Sequence, residues 1–280
     1  MHTSIAGGLQ ISLERARALG CDTLQIFSHN PRGWALTPRS REEIDSFRTL
    51  AAQYAISPIF IHTSYLINLA SANSELLQKS IEMVAEELNI ADSIGADYVV
   101  LHTGSASDAS PSESRKLAAA SLSAVAARGK WRAGLLLENT AGQRGDITSG
   151  IGEIADIMDG VPEGLVSGIC LDTCHAFAAG YDITSKKGID SLASDIRGYI
   201  GKARLRLIHL NDSKGGCLSG VDRHEHIGKG KIGLEGFRRL LENPVFRGIP
   251  LILETPKKSE DDDPLNLRTV KRLLTKIERG

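Results

Sequence analysis

The amino-acid sequence predicts an α/β fold of the (β/α)8 TIM-barrel class, and three observations carry that expectation. Apolar strand-like runs alternate with amphipathic helical stretches along the whole chain. Most of the strand runs are apolar on both faces, as parallel strands covered by helices require. Nearly every run ends in His, Asp or Glu. A barrel gathers all its strand C-termini at one face, whereas an open sheet offers a ligand only the strands at its switch point.

Taken in order, Leu9 to Leu19 reads as a helix and Asp22 to Ser28 as a strand. Ser40 and Glu43 have capping-box spacing and open a helix with Ile44, Phe47, Leu50, Ala51 and Tyr54 on one face. Pro58 to His62 is a strand ending in histidine. Ser74 caps a helix that turns Leu77, Ile81, Val84 and Leu88 inward and stops near Gly95. Tyr98 to His102 is again a strand ending in histidine. Ser110-Pro111-x-Glu113 starts the next helix, with proline at the first helical position and glutamate three residues after the cap. Leu135 to Glu138 is a strand ending in glutamate, and Ile151 to Met158 a short helix. The run Leu165 to Leu171 delivers Asp172, with His175 on the turn that follows. A helix lies within Ile189 to Ile200, a strand at Leu205 to His209, and a helix at Leu234 to Leu241. Pro250 to Glu254 is the last strand and Pro264 to Ile277 the last helix.

That is seven strands. The first should precede His2, which reads as the end of a strand whose body is absent. The expectation is a barrel truncated at its N-terminus, with an unpaired edge beside Asp22 to Ser28.

A chain of 280 residues, 41% hydrophobic and 24% charged, has ample core for a single domain over residues 1–280. Lys+Arg 33 against Asp+Glu 34 excludes an overall basic field, so any nucleic-acid contact must come from a local patch. No apolar run approaches the roughly 18 residues that span a bilayer, and the N-terminus lacks a basic-then-apolar leader. Cys21, Cys170, Cys174 and Cys217 form no CxxC pair, which argues against both a thiolate zinc knuckle and a disulfide framework. Reduced thiols in a cytoplasmic protein are expected.

Strand ends carry His62, His102, Glu138, Asp172, His209 and Glu254; His175, Asp222 and His224 lie on loops. Imidazoles and carboxylates without cysteine suit zinc, and less specifically manganese or iron. Nine ligands exceed the coordination of one ion and suit two or three. Two ions about 3.5–4 Å apart are a known device for phosphoryl chemistry. Glu138 and Glu254 close apolar runs, where a carboxylate needs a partner. A lone strand-end histidine, by contrast, is more often a hydrogen-bonded structural residue. His29 reads as surface polar, and His226 as a supporting or loop residue. Gly228-Lys229-Gly230-Lys231-Ile232-Gly233 has GxGxxG spacing but follows a histidine-rich loop rather than a strand, so no dinucleotide fingerprint is expected. A loop touching phosphate through Lys229 or Lys231 and a plain solvated turn both stay open.

Several strings are long enough to carry a resemblance. They are Leu137-Glu138-Asn139-Thr140-Ala141-Gly142-Gln143, Asp172-Thr173-Cys174-His175-Ala176-Phe177-Ala178-Ala179-Gly180-Tyr181-Asp182, His209-Leu210-Asn211-Asp212-Ser213, Val221-Asp222-Arg223-His224 and Leu253-Glu254-Thr255, with His62-x-Ser64-Tyr65-Leu66-Ile67-Asn68 and His102-x-Gly104 beside them. Through these the chain resembles the endonuclease IV family, the metal-dependent apurinic/apyrimidinic endonucleases of DNA base-excision repair. The resemblance implies a (β/α)8 barrel holding three zinc ions (Zn2+). His62 and His102 would hold one ion and share Glu138 with a second. Asp172, His209 and Glu254 would complete the second, and His175, Asp222 and His224 would hold the third. It implies cleavage of the phosphodiester 5′ to an abasic site in duplex DNA, leaving a 3′-hydroxyl without a side-chain nucleophile; a monomer is the separate expectation. It further implies that Arg32, Tyr65 and Leu66 enter the DNA, where an arginine, an aromatic and an aliphatic wedge can fill a gap in a base stack. Leu218-Ser219-Gly220 and Lys229 depart from what the resemblance leads one to expect in those loops. Two competing readings are a single-metal sugar isomerase or epimerase using Glu138, Asp172, His209 and Glu254, and a DNA-binding module without activity.

Overall fold

The computed structural model describes residues 1–106 and 109–279. The chain forms two compact units: Met1–Glu138 with Asp156–Gly168, and Asn139–Ala155 with the residues from Ile169 onward.

The first unit contains strands β1 (Leu24–Phe27), β2 (Ile59–His62), β3 (Tyr98–Leu101) and β4 (Gly134–Glu138), with helices α1 (Leu9–Leu19), α2 (Arg41–Gln53), α3 (Ser74–Ile94) and α4 (Pro111–Ala126) between them. The strands pair in parallel in chain order, with Phe27 beside His62, His62 beside Val100 and Leu101 beside Leu137. The register staggers the C-terminal ends, with His62 level with Val100 and Leu136, so each successive strand ends about one residue further on. Leu135, Leu136 and Leu137 are fully buried in succession, which accounts for a run with no alternation. Met1 to Thr3 run parallel to β1: the Thr3 N–H donates to the Gln25 carbonyl at 2.9 Å, and the Gln25 N–H to that of Met1 at 3.1 Å.

The helix starts show which caps the backbone uses. Ser110 and Glu113 form the full reciprocal box at α4, with Pro111 in the first turn. At α2 only half the box is made. Ser40 accepts from the Glu43 N–H at 3.1 Å, but the Glu43 carboxylate turns to Arg39 at 2.8 Å and to the Leu9 N–H at 3.3 Å. α3 is capped by Asn73 rather than Ser74, the Asn73 side chain taking the Leu76 N–H at 2.9 Å.

The second unit contains β5 (Val166–Asp172, which enters it at Ile169), β6 (Leu205–His209), the two-residue strands β7 (Asp212–Ser213) and β8 (His224–Glu225), and β9 (Leu251–Ile252). Its helices are α5 (Ile151–Asp159, which leaves it after Ala155), α6 (Thr173–Ala178), α7 (Lys186–Asp195, continued by a π-turn over Ile196–Ile200), α8 (Gly233–Glu242) and α9 (Asp262–Arg279). β5 and β6 pair in parallel with Asp172 beside His209, and β6 pairs with β9. The antiparallel β7–β8 hairpin is not foreshadowed in the sequence, nor is α6, whose N-cap is Asp172 itself.

Two predicted strands end early. β3 stops at Leu101, leaving His102 one residue beyond it, and β9 stops at Ile252. Glu254 leaves the ladder because its N–H donates to the Asn211 side-chain oxygen at 2.8 Å instead of to a neighbouring strand.

The glycine-rich loop has a structural occupant. Asp212 is fully buried, and its carboxylate accepts the N–H groups of Ser213, Gly228, Gly230 and Ile232 at 2.9–3.0 Å. The backbone N–H groups of the loop are therefore taken up by Asp212, while the Lys229 and Lys231 side chains stay exposed. A Cβ on Gly230 would collide with the Asp212 carboxylate.

Candidate metal centre

In the first unit, Glu138 closes β4 with no exposed surface, a costly place for a carboxylate unless its charge is met. Its Oε2 lies 3.3 Å from His62 Nε2 and 3.2 Å from His102 Nε2. The His62 ring is oriented by its other nitrogen, since Nδ1 lies 2.8 Å from the Thr63 carbonyl oxygen. A carbonyl only accepts, so Nδ1 carries a proton and Nε2 is the nitrogen turned toward Glu138. Two imidazole Nε2 atoms gathered on one buried carboxylate oxygen form a donor set that fits a cation. Gly104 fixes the approach of His102. Its backbone has φ +106°, and a Cβ there would stand 2.8 Å from Asn68 Cα. Asn68 in turn ties the two loops together through the backbone N–H groups of Ala70 and Ser105.

In the second unit the ligand atoms of His175, Asp222 and His224 lie within 4.8 Å of one another. His175 Nε2 is 3.2 Å and His224 Nε2 3.5 Å from Asp222 Oδ1. Both rings carry a proton on Nδ1: His175 Nδ1 lies 2.9 Å from the Asn139 carbonyl, and His224 Nδ1 3.0 Å from that of Glu254. His224 Nε2 is buried with no hydrogen-bond partner among the described residues and faces Asp172 at 3.7 Å. An imidazole nitrogen so placed fits a metal.

Asp172, His209 and Glu254 form the remaining group. His209 is fully buried with Nδ1 3.2 Å from Glu254 Oε2. Asn211, missed as a functional residue from sequence, links the acids: its amide donates to Asp172 Oδ2 at 2.6 Å and to Glu254 Oε2 at 3.4 Å. Thr173 completes the frame, its hydroxyl donating to the Asn211 carbonyl at 2.8 Å while accepting the Asn211 N–H at 2.9 Å. Cys174 also approaches Asp172 and His224. Burial, and then the Asp172 charge, push its thiol up to about 12, so it stays protonated.

The expected DNA-entering residues lie on the loops after β1 and β2. Arg32 is exposed and Leu66 half-buried. Tyr65 is 61% exposed, its ring edge-on to Phe27 at 5.2 Å and 6.1 Å from the His62 ring. Its N–H donates to the Pro31 carbonyl at 3.1 Å, which holds the two loops together. His29 is not a surface residue. It is 4% exposed, and desolvation holds its imidazole below its ordinary value.

Residues 13–277 match the family model described as xylose isomerase-like TIM barrel. A probable endonuclease 4 of Methanoculleus marisnigri is 41% identical over 273 residues, 97% of each chain. The solved structure of endonuclease IV from Thermus thermophilus superposes with a TM-score of 0.86 at 37% identity, covering 99% of this chain and 98% of that one. A D-tagatose 3-epimerase-like protein superposes with a TM-score of 0.74 at 20% identity, a likeness of fold alone. The model match, the identity over nearly the full length and the metal-ready side chains agree: this chain is an enzyme of the endonuclease 4 family, built on the xylose isomerase-like TIM barrel.

Proposed function

We propose that the chain hydrolyses the phosphodiester 5′ to an abasic site in duplex DNA, leaving a 3′-hydroxyl, with three zinc ions per chain. It does so as a monomer in the cytoplasm and as a single barrel domain over residues 1–280. The observation that carries this reading is the fixed tautomer of His62, His175 and His224. Each ring donates Nδ1–H to a backbone carbonyl and turns Nε2 toward a carboxylate. That is how zinc-binding imidazoles are held by their surroundings.

In this reading His62, His102 and Glu138 hold one ion, Asp172, His209 and Glu254 a second, and His175, Asp222 and His224 a third. Zinc bound there supplies Lewis acidity toward a phosphate and brings the ionisation of water toward neutral pH. The protein's own part is to fix its ligands before the metal arrives. Asn211 orients the Asp172 carboxylate, Asn139 holds the Asp172 backbone, and Cys174 stays neutral beside them. Arg32, Tyr65 and Leu66 stabilise DNA opened at the lesion, where no base fills the stack. Among the described residues, no helix is long and apolar enough to cross a membrane.

The test is a duplex carrying one abasic site, incubated with the purified protein with and without chelator, alongside elemental analysis. Single-site cleavage lost on chelation and three zincs per chain are expected. One manganese or magnesium per chain without cleavage would instead fit the sugar-isomerase reading, in which Glu138, Asp172, His209 and Glu254 hold a single ion. Binding to abasic DNA without cleavage after zinc is restored would fit the non-enzymatic module.

A further inference from the structure

We infer that Glu87 is a positioning residue for substrate binding, a single buried carboxylate that sets the loop after β1 and the loop after β2 in register. The inference rests on the reading of Arg32 and Tyr65 as DNA contacts.

Glu87 lies in α3 with no exposed surface. On that helix Ile81, Val84, Leu88 and Ala91 are also buried, and an apolar side chain would satisfy packing at this position. A carboxylate is costly there unless donors surround it. The donors it has come from two different segments. Oε2 accepts from the Ser28 hydroxyl at 2.9 Å, just past β1, and Oε1 accepts from the Ser64 N–H at 2.9 Å, just past β2. His29 Nδ1 stands 3.8 Å from Oε1 and 2.9 Å from the Ser28 hydroxyl.

The same two loops meet again immediately beside the residues that matter. The Ser64 hydroxyl donates to the Pro31 carbonyl at 2.9 Å, and so does the Tyr65 N–H at 3.1 Å. Pro31 precedes Arg32 and Ser64 precedes Tyr65, so the backbone of both contact residues is fixed through one point. Arg39 anchors the first loop from the other side by donating to the Ser28 carbonyl at 2.9 Å. Glu87 connects this assembly to a helix of 21 residues capped at both ends. Loops held in their bound shape lose less freedom on association, and that saving appears as affinity.

The experiment compares wild type with Glu87→Gln on the abasic duplex, measuring KM, kcat and zinc per chain. Glutamine keeps the volume but replaces one acceptor with a donor. KM is expected to rise about tenfold, the scale of losing the order of one or two side chains at an interface, with kcat within twofold and zinc unchanged. A structural readout runs beside it. Trp34 lies on the first loop, and in a Trp131→Phe background its fluorescence should be more readily quenched by acrylamide in Glu87→Gln. Should Glu87→Gln not fold, Ser28→Ala removes one of the two connections and should give a smaller rise in KM with the same quenching change. Unchanged KM and quenching overturn the inference. So does a joint fall of kcat and zinc, which would assign Glu87 to the support of His62 instead. If wild type itself does not cut the duplex, it is the nuclease reading that falls; the Trp34 comparison still decides whether Glu87 orders the loop.

Discussion

Asn139 and Asp172 grip each other by a reciprocal pair of hydrogen bonds: the Asp172 N–H donates to Asn139 Oδ1 at 2.7 Å, and the Asn139 amide donates to the Asp172 carbonyl at 3.1 Å. The Asn139 carbonyl also takes the His175 ring proton at 2.9 Å. One asparagine therefore sets the backbone of one candidate ligand and the tautomer of another. Asn139→Ala leaves a buried N–H without an acceptor, a loss of about 1–3 kcal/mol. Zinc affinity should fall by about 10–100-fold, the usual consequence of removing such a partner. Urea unfolding and zinc retention against a competing chelator measure the two effects, and unchanged values in both would contradict the role.

Glu138→Ala removes the oxygen that both His62 and His102 face. Cleavage should be abolished, with at least one zinc lost per chain, because a site stripped of its carboxylate no longer balances the ion. Near-normal turnover in this variant would exclude Glu138 from the reaction.

Arg32→Ala should weaken binding of the abasic duplex at matched salt and leave the zinc count at its wild-type value. The slope of affinity against salt should also shrink by about one charge if the guanidinium meets phosphate. An unchanged binding constant would put Arg32 outside the DNA footprint.

Burial raises the Glu87 carboxyl to about 7, against an ordinary 4.5, with the Ser64 and Ser28 hydrogen bonds opposing the rise. Between these values the folded chain holds a proton that the unfolded chain releases. Stability therefore falls as pH rises through that window, by an amount on the order of 3 kcal/mol. Glu87→Gln should flatten that part of the profile. Urea midpoints for both proteins from pH 5 to pH 8 test the sign, and parallel profiles would refute it.

The strand ends are legible in the sequence because an apolar run closes on a charge only where something meets that charge. Glu138 and Asp172 stand out for this reason, and both are fully buried. The supporting amides are not legible. Asn139 and Asn211 act across 33 and 43 residues of chain, a distance no local pattern encodes. His29 and Glu87 are missed for a related reason. His29 follows a strand on a loop and Glu87 sits within a helix, and only the contact between them, with Ser28 and Ser64, explains the burial. The half-made box at Ser40 shows the converse: Glu43 has the right spacing, but Arg39 and Leu9 compete for it and win.

Of the four thiols, Cys21, Cys170 and Cys174 are buried and Cys217 is exposed. A thiol reagent should modify only Cys217 in the folded protein, and slowly for an exposed thiol because desolvation and the Asp182 charge raise its pKa, and all four in denaturant. Modification of Cys170 or Cys174 at the same rate would mean that their buried surroundings open on that timescale.

The Asp212 carboxylate, ringed by the N–H groups of its own loop, works as a bolt thrown from inside. A negatively charged visitor from solution finds those sockets already filled, so whatever Lys229 and Lys231 attract must be held by their flexible ammonium arms alone. The same bolt makes residue 230 intolerant of even one added methyl, and a lineage that lost glycine there would have to rebuild the whole latch.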